Sequence, residues 1–109
     1  MGADFAGTLR ERVAIMRRDP ERDALAGASG DWTTLREAWA AVIPMRPGAT
    51  TVGDVLASPP RWLVLMRNEG TLPEVGDRIA WRGRNLRVRS AEADPRAPDR
   101  MVAATEEER

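Results

Sequence analysis

VGDRIAWRGRNLRVRSAEAD, residues 75–94, is the stretch whose reading decides the fold. Ile79 and Trp81 alternate with polar or small neighbours before Arg82-Gly83-Arg84, and Leu86 and Val88 alternate with Arg87 and Arg89 after it. Alternation with period two puts apolar side chains on one face of a strand and charges on the other. Gly83 supplies a turn position where positive φ brings no side-chain clash. The stretch reads as a β-hairpin, and no chemistry is visible in it.

Working outward, RWLVLMR at 61–67 is dense in apolar residues and reads as a strand covered on both faces. Between it and the hairpin, residues 68–76 carry Gly70, Pro73 and Gly76 and form a turn region. Leu9 to Arg17 is a first strand, with Leu9, Val13 and Ile15 on one face and Arg10, Arg12 and Ala14 on the other. Arg100 to Thr105 adds a last strand from Met101, Val102 and Ala103, after a connection at Asp94–Asp99 that holds Pro95 and Pro98.

Trp32 to Met45 carries two periods at once. Leu35, Trp39, Val42 and Ile43 follow helical spacing among good helix formers, whereas Trp39, Ala41, Ile43 and Met45 alternate. Local propensity alone predicts helix over 33–43. The whole pattern is five or six short strands separated by turn signals, which points to an all-β barrel or sandwich.

Two connections are long. Residues 17–31 collect Pro20, Gly27, Ser29, Gly30 and several charges. Residues 47–60, PGATTVGDVLASPP, surround Val52, Val55 and Leu56 with small residues, and Thr51 can cap a single helical turn there. Those three apolar side chains either pack on the chain's own core or meet a partner. Residues 1–7 and 106–109 are expected to be loose ends of a single domain spanning 1–109.

Composition excludes much chemistry. The chain has 109 residues, enough for one modest core. Its 17 basic and 17 acidic residues cancel, which argues against a free-standing nucleic-acid binder. Without cysteine there is no disulfide, thiol nucleophile or thiolate metal site. Without histidine the commonest general base and metal ligand are missing, and Ser29, Ser58 and Ser90 have no triad partner. No GxxxxGK[ST] or GxGxxG is present, and Gly76-Asp77 reads as a turn entering a strand. Asp77 and Glu92 are the available carboxylate pair, but nothing in the sequence brings them together. No catalytic residue, cofactor or metal is expected. The N-terminus lacks a signal peptide's apolar core, and no apolar run is long enough to span a bilayer. A soluble protein made in the cytoplasm and not bound to membranes is expected.

Four tryptophans sit among arginines. Trp39, Trp62 and Trp81 lie in apolar runs and are expected in the core, while Trp32, in a polar setting, is the one expected to be partly exposed. Arg82, Arg84, Arg87 and Arg89 form a basic cluster on the hairpin. It is either a solvated strand face or a set of forks for carboxylates of a neighbouring subunit.

The order of these features resembles the phage head–tail joining proteins, also called head–tail adaptors, head-closure or stopper proteins. Leu9-Arg10-Glu11-Arg12-Val13-Ala14-Ile15 is similar to the family's opening Leu-Arg-x-Arg-Val-x-Ile. Trp32 ahead of Ala38-Trp39-Ala40-Ala41-Val42-Ile43-Pro44 resembles its Trp-Ala-x-Val-x-Pro segment. Gly76 to Arg84 and Leu86-Arg87-Val88 resemble its Arg-Ile-x-Tyr-x-Gly-Arg-x-Phe-x-Ile hairpin. Leu86 replaces the family's aromatic, and residues 49–58 are shorter and less polar than its helix-like segment.

The resemblance implies a small five- to six-stranded β-barrel with long loops, and it turns 33–43 from helix to strand. It implies a homo-oligomeric ring in the neck of a virion or gene transfer agent, between a portal-side adaptor and tail-side terminator or tail proteins. There it would close the DNA exit and dock the tail, with DNA passing through unread. Contacts to partners are then expected from Thr51, Val52, Val55, Leu56, Arg82 and Arg84. The loop 18–30 would serve the opposite ring face. The rival reading is a small β-barrel that binds single-stranded nucleic acid, which requires exposed tryptophans beside the Arg87–Arg89 face.

Overall fold

A computed structural model describes residues 8–18, 31–45 and 59–108. Six antiparallel strands close into a barrel: β1 (Glu11–Arg18), β2 (Trp32–Met45), β3 (Arg61–Arg67), β4 (Arg78–Trp81), β5 (Arg84–Asp94) and β6 (Ala97–Glu107). The order around the wall is β1-β2-β3-β6-β5-β4, with β4 returning to β1. Closure leaves no unpaired sheet edge. The hairpin read at 75–94 is β4–β5, turning through Arg82 and Gly83, whose φ values are 49° and 77°.

The core is the inward set of every strand: Val13 and Ile15, Ala40, Val64 and Met66, Ile79 and Trp81, Leu86 and Val88, Met101 and Ala103. Thr105 occupies a buried position because its hydroxyl donates to the Trp62 carbonyl at 3.0 Å.

Three local departures explain where strict alternation misleads. In β2 the ladder passes from Arg36, opposite Ile15, to Thr34, opposite Met16, so Leu35 is an extra residue. In β5 it passes from Val88, opposite Thr105, to Ser90, opposite Ala104, so Arg89 is extra. A bulge of this kind shifts which residues face inward. Leu86 and Val88 point in before it; after it Ala91 packs on the core while Ser90 and Glu92 are exposed.

The third departure is in β6. Asp94 pairs with Ala97 and Ala93 with Met101, so 98–100 bulge out of the ladder. The connection expected over Asp94–Asp99 is therefore a two-residue turn, Pro95-Arg96, and β6 starts at Ala97. Pro98, which cannot donate to a ladder, sits where none is required. β6 also continues through Glu107, past the expected loose end at 106, and Glu108 is held by Arg78.

Residues 33–43 are strand, against their local helix propensity. Both neighbours of β2 impose it: β1 pairs along 32–40 and β3 along 40–45. β3 is covered less completely than its composition suggests. Val64 and Met66 are buried, while Leu63 and Leu65 on its outer face are half-buried. The expectations for 1–7, for the loop 18–30 beyond Arg18, and for a helical turn at Thr51 lie outside the described residues.

Candidate assembly surfaces

Strand direction divides the barrel into two functional ends. Met45 of β2 and Arg61 of β3 are cross-strand neighbours, so connection 46–60 leaves and returns at one end. Arg18 of β1 and Trp32 of β2 are neighbours at the other, so connection 19–31 belongs there. The anchors of the two long connections thus lie at opposite ends of the barrel.

The end that carries 46–60 is closed by two indoles. Trp62 and Trp81 meet edge to face, 4.9 Å between centroids at 62°. Their N–H groups need acceptors at this depth, and two inward-facing glutamates supply them. Trp81 Nε1 donates to Glu11 Oε1 at 2.8 Å, and Trp62 Nε1 to Glu107 Oε1 at 3.2 Å. Arginines of the β4–β5 turn then neutralise both carboxylates. Arg82 reaches Glu11 at 2.8 and 2.9 Å, and Arg84 reaches Glu107 at 3.4 Å. Arg84 also lies over both rings, 5.7 and 5.5 Å from their centroids. Arg82 and Arg84 keep much of their side chains in solvent.

The other hairpin arginines are satisfied within the chain as well: Arg87 by Glu108 at 4.0 Å and Arg89 by Glu106 at 3.3 Å. Arg84, Arg87 and Arg89 of the basic cluster are matched by the acidic C-terminal run and Arg82 by Glu11, all carboxylates of the same chain. Arg78 grips Glu108 with two bonds, at 3.0 and 3.1 Å, and lies 4.0 Å from the centroid of Trp32. Arg18 stacks on the same ring at 5.3 Å. Trp32 is therefore half-covered by cations.

The tryptophans divide differently from the sequence expectation. Trp81 is buried and Trp62 half-buried, but Trp39 is 54% exposed on the outer wall. The six strands enclose a narrow interior that is filled by Met66, Ile79, Leu86 and Met101, so β2 contributes only Ala40 to it, with Ala38 and Val42 beside it. Its larger residues, Leu35, Trp39 and Ile43, face out. The signal was present as small-large alternation, but both faces of β2 are apolar, and hydrophobicity alone does not choose between them.

Of the expected contact residues, the fold brings Arg82 and Arg84 together at the closed end. Thr51, Val52, Val55 and Leu56 lie outside the described residues. Asp77 and Glu92 do not form a catalytic pair: Asp77 is buried against Arg17, and Glu92 is exposed on β5. Among the described residues no group of three or more acidic side chains could hold a metal ion.

These ion pairs make stability depend on pH. Glu11 titrates below the ordinary carboxylate range, first because Trp81 donates to it and then because of Arg82. Glu108 is lowered first by its bonds from Arg78, then by that arginine's charge and those of Arg87 and Arg18. A carboxyl whose pKa is lower folded than unfolded contributes fully above its unfolded value, and the contribution is lost as pH falls through the folded one. The urea midpoint is therefore expected to hold near neutrality and to drop in the acid range below the ordinary glutamate value. In Glu11→Gln/Glu108→Gln the drop between pH 6 and pH 3 should be smaller than in the wild type. An equal drop would show that other carboxyls carry the acid sensitivity.

The nucleic-acid reading loses its geometric basis here. Trp39, the exposed tryptophan, is on β2, and the Arg87–Arg89 face is on β5. Two strands separate them in either direction around the wall.

No curated protein matches this chain closely enough to count as a relative. Among solved structures, the solution structure of protein SF1141 from Shigella flexneri 2a is similar at a TM-score of 0.65, with 19% identity. The match covers 95% of this chain and 96% of that one, and at this identity it speaks for the fold alone. A small closed six-stranded barrel agrees with a family match covering residues 6–108: the chain belongs to the phage head completion proteins, a family whose role is structural and related to the phage head.

Proposed function

We propose that this chain forms a ring in the neck of a virion or gene transfer agent, closing the DNA exit of the filled head and docking the tail. The observation that carries the proposal is the placement of the two long connections at opposite ends of a closed barrel. A component between two neighbours must present a different surface to each, and a barrel with no free edge must do so through loops and side chains. The end with 46–60, Arg82 and Arg84 meets one neighbour through the apolar side chains of Val52, Val55 and Leu56. The end with 19–31 meets the other. A net charge of zero suits a passage through which DNA must slide, because a strongly basic lining would hold it by counterion release.

Electron microscopy of particles made without this protein tests the role. DNA-filled or leaked heads beside separate, complete tails are the expected result; normal tailed particles would remove the proposal. Val55→Asp/Leu56→Asp is expected to reproduce the same defect. A folded variant that still joins heads to tails would remove the loop from it.

A further inference from the structure

One side of the barrel wall is crowded with guanidinium groups. β4 lies between β1 and β5, and Arg18, Arg78, Arg87 and Arg89 stand on these three strands. Ile79, Leu86 and Val88 point inward, so Arg78 and Arg87 project outward. These two arginines are directly opposite each other across the β4–β5 ladder, a pairing of like charges that by itself costs stability. Arg89, the extra residue of β5, reaches Glu106, which is the cross-strand neighbour of Arg87. Arg18 joins the band through Trp32, whose ring it shares with Arg78.

The neutralising charge comes from one short segment. Glu108 accepts from Arg78 at 3.0 and 3.1 Å and lies 4.0 Å from Arg87, so a single carboxylate bridges the opposed pair. Glu106, next to the buried Thr105 and on the outer face, holds Arg89 at 3.3 Å. The two glutamate side chains are mostly covered, with 26% and 21% exposure at 106 and 108. Those of Arg87 and Arg89 are 51% and 56% exposed. The carboxylates thus lie down on the wall while guanidinium groups stay open to solvent. Segregating the two signs in this way is not needed to close a barrel. It makes a face that is neutral in sum and strongly cationic once two side chains are withdrawn.

We infer that the Arg78–Arg87–Arg89 wall is a site for the DNA backbone held closed by Glu106 and Glu108. Guanidinium forks match phosphate oxygens as they match carboxylates. A row of them on a strand face takes hold of a duplex through its phosphates and reads no base. With the carboxylates in place the phosphates have no free cations to displace their counterions, and DNA is not retained. The use of the site rests on the neck role proposed above, where this wall is a surface that a passing duplex meets. The closed site itself belongs to the single chain and is tested there.

Fluorescence anisotropy of a short labelled DNA duplex at low salt measures it, with the full chain carrying Glu106→Gln/Glu108→Gln. Binding at least about tenfold tighter than wild type is expected, with log K falling against log salt at a slope of about −3, from three freed arginines at about −0.9 each. Arg87→Gln/Arg89→Gln added to this variant should remove the gain. Glu37→Gln/Glu69→Gln changes the net charge equally and frees Arg12 and Arg36 on the β2 side, and it should bind like the wild type. The same gain from both glutamate pairs would reduce the effect to net charge and overturn the site. So would the absence of a gain in the folded Glu106→Gln/Glu108→Gln chain. Glu108→Gln alone, past the last residue of β6, leaves the ladder untouched and should give a smaller gain by freeing Arg78 and Arg87; no gain there either would overturn the inference. Polyglutamate that competes as well as unlabelled duplex would reassign the wall to an acidic protein. Each of these failures leaves the neck role standing, because that role is tested on particles made without the protein.

Discussion

Leu86→Ala should cost the barrel about 3 kcal/mol, within the range for truncating a fully buried leucine. Leu86 has no exposure, and Ile79 lies opposite it on β4. Its neighbours in the core come from every other strand, and each is anchored in a closed ladder. Such a wall cannot easily move inward, so the cavity left by three missing carbons stays largely open. A domain of this size has about 5–15 kcal/mol in all, so the loss is a large share. Urea unfolding followed by tryptophan fluorescence measures it. Leu35→Ala is the comparison: the same chemical change at the extra residue of β2, 43% exposed, should cost under about 0.5 kcal/mol. Equal costs at the two positions would mean that inside and outside of the wall have been assigned wrongly.

The second large effect is expected at Asp77. Its side chain is nearly buried, and both oxygens are used. Arg17 Nε donates to Oδ1 at 3.0 Å and Nη2 to Oδ2 at 2.9 Å, while the Glu74 N–H donates to Oδ2 at 2.8 Å. Its backbone is used too: Asp77 N–H donates to the Glu74 carbonyl at 2.9 Å, and Val88 N–H donates to the Asp77 carbonyl at 2.8 Å. One residue thus ties the end of β1 to the turn that brings the chain from β3 across to β4.

Asp77→Ala leaves that N–H without its acceptor and the guanidinium with only the exposed Glu74 carboxylate, 3.3 Å away, and a loss of about 2–3 kcal/mol is expected. It falls at the low end of the range for broken buried pairs because Arg17 is about one-third exposed and water can reach it. Asp77→Asn keeps an acceptor and should cost less than the alanine variant. If both variants melt like the wild type, backbone bonds alone hold the crossover.

The residues explain which parts of this architecture could be read in advance. Ile79, Trp81, Leu86 and Val88 announce their strands because the alternation is clean and the turn between them contains a glycine. Their partners on the outside are arginines, which leaves only one face to bury. Trp32 to Met45 has no such asymmetry. Its local preference is helical, its period is ambiguous, and both faces are apolar. Only two neighbouring strands, pairing along successive halves, made it extended. The same limit hid the exposure of Trp39, because what excludes it from the core is the volume already taken by Met66 and Met101 from other strands.

The candidate surfaces divide in the same way. Arg82 and Arg84 were legible as an exposed turn, but their glutamate partners, Glu11 and Glu107, are distant in sequence and were not. By itself, the sequence determined the strands with one wet face, the hairpin turn and the family. Tertiary structure alone decided the state of β2, the bulges that re-aim β5 and β6, and which apolar residues stayed outside. Periodicity is a property of neighbouring residues along the chain, whereas burial in a closed barrel depends on the space left by all six strands together.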